Sequence, residues 1–285
     1  MKSFIFPLLA GLALACAQTK AQRPQFTEQV KQEFSLPNRT GTLVIYNING
    51  FIQVEGTGGD QASLTVDKRI RAEDEATLET GKRELKLQFE QKGDTIFAYI
   101  AEPFDSRPNR NNNRTNHPRI EYDFTLDFTV RVPRQWNLNV STVNRGNVSV
   151  KDVTGALRVR NVNGAIHLTN AWGTTDAHTI NGNVEANYLA NPPEKSSYYT
   201  LNGDIKVSYP ASLSADLQFK TFQGAFYTDF DDTAVLPAQV TKNEEKRGDK
   251  TVYKLNKTTA IRVGRGGPPI RFETFNGNVY IKKQS

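Results

Sequence analysis

Cysteine and histidine are almost missing from this chain: one and three residues, respectively, among 285. A disulfide framework needs pairs of cysteines, and zinc sites draw on clusters of Cys and His, so neither organises this protein and no metal or other cofactor is expected. A strong charge imbalance is also lacking. The chain holds 36 Lys plus Arg against 30 Asp plus Glu, a net +6 that is too mild to argue for nucleic acid. Long apolar runs are confined to Phe4–Ala15, too short for a permanent membrane span. What is there is a 37% hydrophobic content, enough to fill a sizeable core, with 20 glycines and many asparagines as punctuation.

The basic start Met1-Lys2-Ser3, the apolar run and the small residues after it form an export signal covering residues 1–21. Two fates are open at its end. An ordinary peptidase would cut after Ala17 or Ala21. In the other fate Leu12-Ala13-Leu14-Ala15-Cys16 resembles a lipobox, residues 1–15 are removed, and Cys16 carries a lipid that anchors the chain to a membrane. Either fate places the protein outside the cytoplasm: periplasm, outer membrane or cell surface. Residues 22–41 read as a tether and 42–285 as one domain.

That domain is organised by a repeat. Aligned on Gly50, Gly146, Gly164, Gly182, Gly203, Gly224 and Gly277, the chain has Asn at the preceding position of five sites, namely Asn49, Asn163, Asn181, Asn202 and Asn276. Arg145 and Gln223 depart from the pattern. Two residues after each glycine stands an apolar residue: Ile52, Val148, Ile166, Val184, Ile205, Phe226 or Val279. Asn-Gly suits a turn that needs positive φ, and the flanking alternation reads as strands with one buried face. The glycines from 146 to 224 are 18, 18, 21 and 21 residues apart, which fits one coil of a stacked repeat. The predicted fold is therefore all-β, a parallel β-solenoid (β-helix-like), with a strand-helix-strand insert at about 57–135. A meander of antiparallel hairpins is the alternative.

Within the insert, Ala62–Arg71 alternates as a strand, Glu73–Arg83 suits a short helix carrying Leu78, and Glu84–Glu90 with Thr95–Ile100 suit a hairpin. Ser106–Pro118 reads as a loop, and Glu121–Val132 as one long strand ended by Pro133. Val-Asn-Gly-Ala-Ile-His-Leu at 162–168, Thr-Ile-Asn-Gly-Asn-Val-Glu at 179–185 and Thr-Phe-Asn-Gly-Asn-Val-Tyr-Ile at 274–281 resemble the bacterial putative-adhesin family. The resemblance spans about residues 40–283. It implies an exported β-solenoid of unknown function and brings no catalytic residues with it.

Outward positions in the repeat form two columns. One holds Arg158 and Arg160, Asp176 and His178, Ser197 and Tyr199, Gln218 and Lys220, and Arg271 and Glu273; the other holds Ser149, His167, Glu185, Lys206, Tyr227 and Tyr280. His178 near Asp176 has the makings of a general base, but no nucleophile or oxyanion site marks its surroundings. Asp229, Asp231 and Asp232 lack the spacing of a calcium loop and read as an acidic turn. Arg107, Arg110, Arg114 and Arg119 suit either contact with acidic polymers or lipid phosphates, or plain solvation. Tyr198, Tyr199, Tyr209 and Tyr227 are candidates for a sugar platform. The expected activity is non-enzymatic: adhesion to, or docking on, an envelope polymer or protein through a laddered face that includes Arg160, His178, Tyr199, Lys220 and Tyr227. The alternatives are a polysaccharide-acting enzyme, which would need a cleft with paired carboxylates, and a structural or sensing component of the envelope.

Overall fold

The computed structural model describes residues 23–36, 40–108, 119–247 and 250–284, leaving aside the side chains of 238–257. Residues 1–21, expected to be an export signal, and with them Cys16, as well as Arg110 and Arg114, lie outside the described residues. In chain order the elements begin with β1 (Gln25–Ser35), β2 (Thr42–Tyr46), β3 (Ile52–Thr57), β4 (Gln61–Arg71), α1 (Glu75–Glu84), β5 (Lys86–Lys92), β6 (Thr95–Glu102) and β7 (Asp123–Pro133). Next come β8 (Asn137–Ser141), β9 (Val148–Lys151), β10 (Leu157–Arg160), β11 (Ile166–Ala171), β12 (Thr175–Asn181), β13 (Val184–Tyr188), β14 (Ser196–Asn202), β15 (Ile205–Tyr209), β16 (Ala215–Gln223) and β17 (Phe226–Thr228). The chain closes with β18 (Thr233–Arg247), β19 (Lys250–Val263), β20 (Pro269–Asn276) and β21 (Val279–Lys283).

These strands build two large mixed sheets, and this overturns the parallel β-solenoid expected from the spacing. Sheet I has ten strands in the order β1-β4-β7-β3-β9-β11-β13-β15-β21-β17; sheet II has eleven, β18-β19-β16-β20-β14-β12-β10-β8-β2-β6-β5. Parallel pairing runs through the middle of each, so Val148, Ile166, Val184, Ile205 and Val279 sit side by side in register. Antiparallel pairs, however, flank it: β1 with β4 and β4 with β7 in sheet I, and β5 with β6, β16 with β19 and β18 with β19 in sheet II. Nor does strand order follow chain order, because β20 lies between β14 and β16, and β21 between β15 and β17. Glycine spacing reports how long a unit is, not which unit it pairs with.

Two further expectations change. Residues 25–35, read as part of a tether, form β1 and pair with β4 along their whole length. The stretch 57–135, expected as an insert in the repeat, is built into both sheets: β4 and β7 extend sheet I while β5 and β6 extend sheet II. Its helix α1 is N-capped by Asp74, whose side chain accepts from Thr77 N at 2.7 Å, and it buries Leu78 and Gly81.

Strand alternation turns every second side chain inward, and the two inner faces share one apolar cluster. Ile45, Ile52, Phe128, Val140, Ile166, Ile205 and Phe272 are fully buried within it. Three tyrosines cross this interior: Tyr198 OH lies 2.6 Å from Tyr188 OH and 3.2 Å from Tyr209 OH, and Tyr188 OH bonds Thr175. Burial pushes the Tyr188 phenol up to about 12, and burial raises Tyr198 and Tyr209 well above the ordinary value.

At the Asn-Gly corners the expected positive φ falls on the glycine, 121° at Gly50 and 154–158° at Gly182, Gly203 and Gly277. Arg145, which stands where other corners have asparagine, also has positive φ (63°), whereas none of Asn49, Asn163, Asn181, Asn202 and Asn276 adopts it. The asparagines instead form a ladder, with Asn163 donating to Asn144, Asn181 to Asn163, Asn202 to Asn181 and Asn276 to Asn202, each at 2.8 Å. Close stacking requires the glycines as well: a Cβ on Gly182 would stand 2.4 Å from Gly164 O. Three residues before the glycine, Thr179, Thr200 and Thr274 are buried and donate their hydroxyls to the carbonyls of Gly164, Gly182 and Gly203 at 2.8, 2.8 and 3.1 Å. Each carbonyl that faces the neighbouring glycine thereby gains a partner.

Candidate functional site

The outer face of sheet II carries the densest arrangement of chemistry-bearing side chains. Strands β10, β12, β14, β20 and β16 lie parallel and in register, so their outward residues fall into straight rows. One row reads Arg160, His178, Tyr199, Glu273, Lys220, and the row beside it Arg158, Asp176, Ser197, Arg271, Gln218. Two residues nearer the corner, alternation brings out Val162, Ile180, Leu201, Phe275 and Phe222. The first three of these are half-buried, whereas Phe275 and Phe222 are 43% and 71% exposed. The two phenyl rings stack at 4.6 Å with planes 8° apart. Tyr199, Lys220, Phe222, Glu273 and Phe275 line a depression of about 340 Å³.

The charges on this face are arranged in hydrogen-bonded groups. Arg160 bonds the Asp176 carboxylate and, at 2.9 Å, the Asp176 carbonyl, while Ser197 Oγ donates to the same carboxylate at 2.9 Å. Lys220 Nζ and Arg271 Nη2 each reach Glu273 at 2.7 Å, on separate oxygens. Burial alone would raise both carboxyls, but these cations and donors outweigh it and hold Asp176 and Glu273 below the usual carboxylate range. Burial, and then the Arg160 charge, lower His178, whose ring lies 4.2 Å from that of Tyr199. A carboxylic acid that donates a proton in glycoside cleavage needs the opposite shift. The general-base arrangement of His178 with Asp176 is likewise displaced, since the carboxylate is taken up by Arg160 and Ser197.

Of the expected docking residues, Arg160, His178, Tyr199 and Lys220 come together in one row. Tyr227 does not: it lies on the outer face of sheet I, its ring stacked on Tyr280 at 5.0 Å. The proposed tyrosine platform disperses in the same way, with Tyr198 and Tyr209 inside the core. On sheet I, Glu185 stands 3.4 Å from His167 and 3.8 Å from Lys206. Arg107 is held by Asp105 and stacks 3.8 Å over the Tyr99 ring. Asp229 caps Lys283 N at 2.5 Å and Asp231 pairs with Lys283 Nζ at 3.2 Å. Among the described residues no group of three His, Cys, Asp or Glu side chains is placed to hold a metal ion.

Two features of the face escaped sequence reasoning. Glu273 falls between Tyr199 and Lys220 only because β20 enters the sheet out of chain order. The apolar row had a visible signal, since positions two before the glycine share strand parity with His178 and Tyr199 and so must share their face.

No family model matches the chain, and no curated protein matches it. Among solved structures it is similar to one named a putative cell adhesion protein from Clostridium sporogenes, at 12% identity and TM-score 0.41, covering 92% of this chain and 100% of that one. One named a putative adhesin from Bacteroides fragilis matches at 11% identity and TM-score 0.29, over 90% of this chain and 97% of that one. One named a putative lipid binding protein from Parabacteroides distasonis matches at 10% and 0.26, with the same coverages. Among the described residues no helix is long and apolar enough to cross a membrane.

Proposed function

We propose that this chain is an exported, non-enzymatic docking module of the cell envelope that holds an elongated partner along the outer face of sheet II. The observation that carries this reading is the pairing of an apolar row, ending in the exposed Phe275–Phe222 stack, with an adjacent ionic and aromatic row across the same five strands. Exposed aromatic side chains next to Arg and Lys are the usual anchors of a recognition surface. A second observation counts against catalysis on this face: both carboxylates are ion-paired and shifted toward the charged form.

The reading is tested by retention of the purified chain on envelope fractions, comparing the wild type with the paired variant Phe222→Ala/Phe275→Ala and with Tyr227→Ala on sheet I. Loss of retention in the paired variant alone supports docking through sheet II. Equal retention of all three proteins refutes it. Cross-linking from position 199 or 220 then identifies what sits on the face.

A further inference from the structure

We infer that the polymer held on this face is a chain of acidic sugars. The inference rests on the docking reading above and names its ligand class.

Charge is the first argument. The two outer rows carry Arg158, Arg160, Arg271 and Lys220 against Asp176 and Glu273. Each acid is already neutralised within the face, Asp176 by Arg160 and Glu273 by Lys220 and Arg271. Cations are left in excess, and Arg158 projects into solvent beside an Asp176 whose oxygens bond Arg160 and Ser197. A ligand that meets this surplus is anionic.

Shape is the second. Five strands give an apolar row about 19 Å long, and the cationic rows run parallel to it one or two pleats away, about 7–13 Å along the strands. A sugar ring with a carboxylate has an apolar C–H face and a charged edge, so a linear chain of such rings presents both features side by side along its length. Its C–H faces pack on Phe275 and Phe222, and its carboxylates point toward Lys220, Arg271 and Arg158. An extended peptide fits less well: its side chains on one face recur every ~7 Å while these rows recur every ~4.8 Å, and peptides that add to a sheet do so at an edge, not on a face.

The test is binding of fluorescent polygalacturonate fragments to the full chain, beside the same fragments methyl-esterified at their carboxylates and vesicles of phosphatidylglycerol. The inference expects polygalacturonate to bind about tenfold more tightly than its neutral ester, and to weaken as salt is raised. Arg158→Gln/Arg271→Gln should erase the difference between the two polymers, and Phe222→Ala/Phe275→Ala should weaken both. These substitutions are on exposed side chains, and unchanged melting establishes that each variant is folded. Equal binding of acid and ester overturns the acidic-sugar inference and leaves the docking face standing. Binding to the vesicles but to neither polymer overturns it in favour of a lipid surface. No binding to any probe, with envelope retention still sensitive to Phe222 and Phe275, also overturns it without touching the docking reading.

Discussion

Replacing Thr200 with valine isolates the hydrogen bond that ties one repeat unit to the next. Thr200 is fully buried, and its hydroxyl donates to Gly182 O at 2.8 Å. Valine keeps the volume and branching of threonine but removes the donor, leaving a part-buried carbonyl that Gly203 packs against, a Cβ there standing 2.2 Å from the oxygen. An unsatisfied buried acceptor costs about 1–3 kcal/mol. For a domain of this size that is a fall in Tm of roughly 2–10 °C. Denaturant unfolding should show a lower midpoint at unchanged slope, because the area exposed on unfolding is the same. Thr200→Ser provides the contrast: it keeps the hydroxyl and gives up one buried methyl, a cost of about 1 kcal/mol. If threonine recurs here only as a β-branched filler, valine will match or exceed the wild type and serine will be the worse variant. That ranking refutes the hydrogen-bonding role.

Gly182→Ala should destabilise by about 1–3 kcal/mol in the same unfolding assay, because its Cβ would press on the Gly164 backbone, which has no side-chain freedom with which to yield. At alkaline pH the buried tyrosines dominate. Their folded pKa values are raised, Tyr188 to about 12, so their contribution is intact below the ordinary value of 10 and is lost as pH rises through the folded values. Unfolding midpoints should therefore drop from pH 10 upward, and less so in Tyr198→Phe. His178 acts at the other end. Burial and Arg160 lower its folded pKa, so the unfolded chain binds the proton first and stability falls as pH drops below the ordinary value of 6.5. His178→Gln should flatten that part of the pH profile, and an unchanged slope would assign it to other groups.

Much of the local structure was legible because it depends on nearest neighbours. Alternation at Ala62–Arg71 and Glu121–Val132 located β4 and β7, and the charged stretch carrying Leu78 located α1. The glycine-centred repeat marked the corners, and parity placed His178, Tyr199 and Lys220 outward. The strand at Gln25–Ser35 is hidden in the sequence because Phe26, Val30 and Phe34 stand four residues apart, with the exposed Glu28 and Gln32 at the intervening positions of the same parity. That hides the period-two signal of a strand. The asparagine was assigned a backbone role because Asn-Gly usually means a turn. Its ladder becomes visible only when units stack, since each amide bonds a residue 18 or more positions away.

By itself the sequence determined where the alternating strands run, which of their side chains face in or out, and that the glycine-marked units match in register, since these follow from φ/ψ preference and a two-residue pleat. Tertiary structure alone decided the order in which units pair. The units around Gly182, Gly203 and Gly277 present the same Thr, Asn, Gly and aliphatic positions to their neighbours, so local chemistry does not distinguish one pairing among them from another. The long β18–β19 hairpin carries the chain out and back, and on its return β20 and β21 lie between the strands of the β14–β15 and β16–β17 units. That insertion sets Glu273 between Tyr199 and Lys220 and Phe275 beside Phe222, and with them the face on which function is proposed.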